Sequence, residues 1–202
     1  MQNSLARIVS IVFHPLIMPP LGMLLLFNSG TYLDFLTYGQ KRAIFLILLT
    51  GTTILPLTLA PVMLFQRMIS NLRMDDHRER VLPLVITVVF YIFTWYMLAR
   101  INVPGLINIY AITASLTVLF CTLISLIWKI SLHMTALGAL AGMLLAIAFR
   151  FGINLQLYLV IVFLAAGITG WARLTLKAHT PAQIYTGYLG GAAIAFFLMF
   201  SF

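Results

Sequence analysis

The chemistry-bearing side chains of this sequence are imidazoles, guanidiniums and ammonium groups, and they are clustered. Arg173, Lys177 and His179 fall in the stretch W-A-R-L-T-L-K-A-H-T-P-A-Q from Trp171 to Gln183, between two apolar runs. A second cluster is Arg73-Met74-Asp75-Asp76-His77-Arg78-Glu79-Arg80, and a third is Lys129-Ile130-Ser131-Leu132-His133. Cations together with His133 and His179, without an obligatory acid pair, form the inventory for metal-independent phosphoryl transfer. One imidazole attacks phosphorus, Arg and Lys neutralise the equatorial oxygens, and the other imidazole protonates the leaving oxygen. On a helix, Arg73, His77 and Arg80 share a face, and two guanidiniums about 10 Å apart along the axis could each grip phosphate oxygens bidentately. Each cluster also has a plainer reading. The first is a solvated juxtamembrane helix with internal ion pairs, His133 an interfacial residue, and Arg173 and Lys177 snorkelling or positive-inside residues.

Such residues work together only if the backbone brings them together. Arg173 and His179 are six apart, which on one continuous helix puts them on opposite faces. Pro181 offers a break, because proline is tolerated in the first turn of a new helix, here one beginning near Thr180. The spacing therefore predicts an Arg at one helix end and a His at the next helix's start, converging across a short loop at a membrane boundary.

The rest of the chain says which membrane architecture holds these ends. Apolar residues make up 62% of the 202 and charged residues only 8%, with a mean hydropathy of +1.08. A water-soluble fold of this size could not hide that much apolar surface, so the chain is an integral membrane protein. Its segments lack the period-2 alternation of a β-barrel, so helices cross the bilayer. The expected fold is all-α: a polytopic helix bundle in one domain, 1–202, with N-terminal spans in 1–65 and a motif-bearing core in 66–202. Six core spans follow an N-terminal apolar segment, Ile8 to Phe27, which Pro15, Pro19 and Pro20 make either a bent span or a re-entrant pair of half-helices. The charge order around Arg7 is that of a signal sequence, but the run is too long and lacks a small-residue cleavage site. A second span, kinked near Pro56 and Pro61, runs to about Phe65, and others cover Val81 to Leu98, Leu106 to Trp128, Met134 to Phe149, Leu155 to Trp171 and Gln183 onwards. Ala136, Gly138, Ala139, Ala141 and Gly142 in the fifth, and Gly187 and Gly191 in the seventh, are small enough for close helix contact. The single Cys121 lies inside an apolar run, which excludes an internal disulfide. The three polar clusters fall in connections two-to-three, four-to-five and six-to-seven. Alternate connections emerge on one side of a bilayer, so all three clusters can meet at one face.

Order and spacing resemble the type 2 phosphatidic acid phosphatase family, the membrane branch of a superfamily that includes vanadium-dependent haloperoxidases. Its first motif is a Lys, six residues, then Arg-Pro; Arg73 and Arg80 stand at that spacing. Its second is Pro-Ser-Gly-His, matched by Ser131 and His133 within Ile130-Ser131-Leu132-His133. Its third is Ser-Arg, five residues, His, three residues, Asp; here Ala172-Arg173, His179 and Gln183 occupy those places. The resemblance covers roughly residues 70 to 200. It implies that His179 is the nucleophile that forms a phosphohistidine and His133 the general acid. Arg73, Arg80 and Arg173 would hold phosphate, with Ser131 as a hydrogen-bond donor. Gln183 is the departure that matters, because the family's Asp orients the nucleophilic imidazole and stabilises its positive charge. Loss of such a carboxylate costs about 10⁴ in rate in the serine-protease template.

The expected activity is hydrolysis of a lipid phosphate or diphosphate of phosphatidate, phosphatidylglycerol phosphate or polyprenyl type, with no cofactor and no metal. The partners are that lipid and the surrounding membrane, not nucleic acid, and a homo-oligomer is left open. Two other readings compete: a lipid-phosphate binding or transport protein without turnover, and a Mg²⁺-dependent intramembrane prenyltransferase using Asp75, Asp76 and Glu79. Charges outside the site divide evenly, Arg7, Arg67, Arg78 and Lys177 against Lys41, Arg42, Arg100 and Arg150, so the positive-inside rule does not orient the chain. The resemblance implies a bacterial inner membrane with the site on its outer face. All of this requires that Arg73 or Arg80, His133, Arg173 and His179 surround one cavity at one membrane face. His133 and His179 on opposite sides of the bilayer would end it.

Overall fold

The computed structural model describes residues 2–68 and 78–202. The described residues form helices and no strands, and seven segments are long and apolar enough to cross a membrane. The protein is an all-α polytopic bundle. Arg73, Asp75, Asp76 and His77 lie outside the described residues, and with them the helix face that Arg73 and His77 were expected to share with Arg80.

The first span is α1 (Gln2–Val12) and α2 (Met18–Phe27), joined through a 3₁₀ turn at Pro15–Ile17. Proline chemistry accounts for the join. Pro20 has no N–H for the Leu16 carbonyl, and the Thr53 hydroxyl donates to that carbonyl instead, at 2.6 Å. The Tyr110 hydroxyl donates to the Pro19 carbonyl, also at 2.6 Å. Of the two expectations for this segment, the bent span holds. Ser10 lies beside the start of α7 (Leu132–Phe151), where His133 reaches its carbonyl. Asn28 is at the other end of the bundle, accepting from Tyr158 near the start of α8 (Gln156–Thr175).

The second span is α3 (Tyr38–Leu49), a π-helical turn (Thr50–Ile54) and α4 (Leu55–Phe65). Its irregularity precedes Pro56 rather than centring on the prolines, and Pro61 is accommodated inside α4. The widened turn packs Gly51 against Thr94 of α5 (Val81–Arg100), too closely for a Cβ. A 3₁₀ turn, Arg78–Arg80, leads into α5. The bundle is completed by α6 (Gly105–Ser125) and α9 (Pro181–Ser201).

The tightest packing joins α7 to α9, the fifth and seventh spans, which run parallel. A Cβ on Gly138 would meet the Tyr188 carbonyl, one on Gly142 the Ala192 carbonyl, and one on Gly191 the Thr135 carbonyl. At the site end, Gly187 faces the Ser131 carbonyl, 2.9 Å from where its Cβ would stand. Backbone thus lies against backbone, the geometry that small-xxx-small sequences permit in a medium where apolar side chains gain nothing by leaving lipid. Because the two helices are parallel, both begin at the same face and both N-terminal ends point there.

Gly138→Ala should therefore destabilise the detergent-solubilised protein by about 1–3 kcal/mol, because a carbonyl on a packed helix cannot move aside as a side chain would. Gly167→Ala on α8, where a Cβ would have nothing within 4 Å, should be neutral or stabilising. Thermal melts of the two variants against wild type check this. Equal melting temperatures for Gly138→Ala and wild type would mean that α7 and α9 are not in backbone contact at this level.

Candidate functional site

The connection between α8 and α9 breaks as its residues require. α8 stops at Thr175, the Ala178 N–H donates to the Arg173 carbonyl at 3.1 Å, and the Lys177 N–H donates to Leu174 at 2.9 Å. This is a Schellman closure with Lys177 at the left-handed position, φ +50°. A lysine there costs about 1 kcal/mol relative to glycine. Thr180 then caps α9 by accepting from the Gln183 N–H at 3.4 Å, with Pro181 in the first turn.

Gln183 does two things at once. Its Oε1 accepts from the Thr180 N–H at 3.1 Å, completing a capping box, and lies 3.1 Å from His179 Nδ1. A backbone N–H can only donate, so the amide atom it meets is the oxygen. The ring nitrogen facing that oxygen must therefore carry the proton, which leaves Nε2 of a neutral His179 with its lone pair. His179 is 8% exposed. Burial first, then the nearby charges of Arg173, Arg80 and Lys129, pull its pKa down to about 3, against a smaller upward pull from Gln183. At neutral pH the imidazole is an uncharged base.

Across the site, His133 sits in the first turn of α7. Its Nε2 lies 3.0 Å from the Ser10 carbonyl, which can only accept, so Nε2 carries a proton and Nδ1 is the free ring atom. An Arg173 terminal N–H donates to the Ser10 hydroxyl at 3.4 Å, while Arg173 Nε is buried with no hydrogen-bond partner among the described residues.

Arg80, His133, Arg173 and His179 line one cavity of about 1020 Å³ at the end of the bundle where α7 and α9 begin. Lys129 and Lys177 also line it. The wall then continues inward between the helices past Thr87, Tyr91, Thr113 and Leu140. Two helix N-termini add their partial positive charge to that of the cations. The arrangement favours a phosphate-like anion at the mouth and an apolar group within.

The structure brings together Arg80, His133, Arg173 and His179 of the residues read from the sequence as site residues, and Gln183 acts on the cavity through His179. Arg73 lies outside the described residues. Ser131, the expected hydroxyl donor, is fully buried and does not line the cavity. Gly187 lets α9 close on the Ser131 carbonyl, and the Ser131 N–H donates to the Gln183 carbonyl at 3.4 Å, so the residue is taken up by the α7–α9 junction. Contributors from outside the three motifs include Ser10 and His14, the latter with its ring centroid 5.7 Å from that of His133. The legible signal for His14 was an ionisable residue beside a helix-breaking proline within an apolar run. In comparisons with known proteins, no family model, no characterised protein and no solved structure matches the chain.

His179 generates a pH prediction. Its folded pKa, about 3, lies below the value of about 6.5 for a free imidazole. Above pH 6.5 neither state is protonated and stability is undiminished. As pH falls from there towards 3, the unfolded chain gains a proton that the folded protein refuses, and stability declines by about 1.4 kcal/mol per pH unit. Unfolding midpoints of wild type and His179→Gln between pH 7 and pH 4 should diverge, the variant declining less. Parallel curves would show that His179 is not held neutral.

Proposed function

We propose that this protein hydrolyses a lipid phosphate or diphosphate at one membrane face, without metal, through a phosphohistidine on His179. The observation that carries the reading is the orientation of His179: its Nδ1 is tied to Gln183 Oε1, at 3.1 Å, in a cavity that Arg80, Arg173 and Lys129 also line. That tautomer supports a nucleophilic Nε2. The motif resemblance and the apolar continuation of the cavity, suited to a lipid tail, support the same reading.

In the reaction, His179 Nε2 forms a bond to phosphorus and the bond from phosphorus to the leaving oxygen breaks. His133 gives a proton to the leaving oxygen. Water then attacks the phosphohistidine, His133 takes its proton, and inorganic phosphate leaves as His179 is restored. Arg80 and Arg173 stabilise the charge on the transferring group, and removal of one such donor costs about 10²–10³ in rate. A neutral amide at Gln183 orients the nucleophile but offers its positive charge no counter-charge. That feature is what favours the second reading, a binder of lipid phosphates without turnover.

Phosphate release from detergent-solubilised protein, screened over phosphatidate, phosphatidylglycerol phosphate and polyprenyl (di)phosphates, separates the two. The hydrolase releases phosphate in excess chelator, loses it in His179→Ala, and tolerates Asp75→Asn with Asp76→Asn. Chelator and the Asp changes silencing the protein while His179→Ala does not would replace this mechanism with a metal-dependent one.

Gln183→Glu is the informative gain-of-function variant. Glutamate preserves the length needed to meet both the Thr180 N–H and His179 Nδ1, which aspartate is too short to reproduce, and it adds the missing charge. It should raise the rate about tenfold or more. No release by wild type or Gln183→Glu on any of these lipids would leave the binder.

A further inference from the structure

The break in the first span lies outside the motif resemblance, yet it borders the cavity. Pro15 has no N–H, so the Ile11 carbonyl loses its helical donor. The His14 N–H closes on Ile11 instead, at 3.2 Å. That shift frees the Ser10 carbonyl, which would otherwise receive the His14 N–H, and His133 Nε2 takes it at 3.0 Å. The same backbone turn sets His14 itself. Its Nδ1 accepts from the Leu16 N–H at 3.3 Å, capping the 3₁₀ turn. A backbone N–H can only donate, so Nδ1 is the acceptor and the proton of the neutral ring is on Nε2.

Two features make this more than a capped turn. His14 lines the same cavity as Arg173, His133 and His179, with its ring edge-on to His133. Arg173, which bridges to Ser10 at 3.4 Å, keeps Nε buried and without a partner among the described residues. Arg173 and His14 thus line the same cavity, and an anion is the ligand that would accept from a guanidinium and an imidazole N–H together. We infer that His14 is a third ligand-contacting imidazole of the site, its Nε2–H donating to a non-bridging oxygen of the phosphoryl group held by Arg173. The inference rests on the proposal that the cavity takes a phosphorylated ligand. It gives a ligand-contacting side chain to the first span, whose Ser10 already meets His133 and Arg173.

Two substitutions separate ligand contact from capping. His14→Asn keeps a side-chain acceptor near the position of Nδ1, and asparagine is a good helix cap, but it removes the distal N–H. His14→Gln extends an amide N–H to about the place of Nε2 and gives up the cap. Inorganic phosphate is the probe, its affinity for the full-length detergent-solubilised protein read by calorimetry and by the shift in melting temperature. His14→Asn should leave the phosphate-free melting temperature unchanged and weaken phosphate binding about tenfold or more. His14→Gln should melt lower and bind phosphate within about threefold of wild type. His14→Ser, also a capping residue, should behave as His14→Asn does and serves if that variant does not fold. Wild-type affinity in His14→Asn or His14→Ser, or equal weakening in the Asn and Gln variants, overturns the assignment while the phosphate site stands. No phosphate response in wild type, matched by Arg173→Ala, overturns the site and the inference together.

Discussion

The contact between α7 and α9 is the constraint on which the rest depends. Gly138, Gly142, Gly187 and Gly191 remove the side chains that would hold the two helices apart, and carbonyls of one helix fill the space where Cβ atoms would be. In lipid this close approach replaces the hydrophobic driving force that would join helices in water. Its chemical consequence follows from direction. Parallel helices begin together, so the first turn of α7, which carries His133, and the loop before α9, which carries His179, open onto one cavity. A larger residue at any of these glycines would act on the site through the angle and separation of its two supports.

The cavity itself concentrates positive charge where burial makes charge costly. Arg80 is 8% exposed, Arg173 half-buried, and Lys129 and Lys177 share the wall. Loss of hydration first, and then repulsion from Arg173, Arg80 and Lys129, holds His179 neutral. On the proposed reading, a bound anion would offset that repulsion by accepting from the guanidinium groups. Gln183 keeps this balance in a particular form. It orients His179 without adding a negative charge beside it, and in the proposed transfer it would leave the charge that develops on the ring without a counter-charge.

The first span shows how a helix break distributes polar groups in a membrane. Backbone carbonyls released by Pro15 and Pro20 cannot be left to lipid. Thr53 takes one, and the rearranged turn passes another to His133. The break is therefore tied to the second span on one side and to the site on the other.

Much of this was legible in one dimension. Composition determined that helices cross a membrane, because 62% apolar residues in long runs leave no alternative for satisfying the backbone. Span parity put His133 and His179 at one face, since a helix that enters on one side must leave on the other. Pro181 announced the break after Arg173, and the small residues announced a close helix pair. The tertiary structure decided what periodicity cannot carry. Ser131 has the identity of a phosphate donor but is buried in a helix junction, because its surroundings depend on how closely α9 approaches. His14 and Ser10 belong to the cavity although more than a hundred residues separate them from His133. Contact over such a distance is set by which helices pack together, and no local pattern records it. The direction of the His179 proton was likewise beyond the sequence, because it depends on one amide oxygen meeting both a backbone N–H and an imidazole.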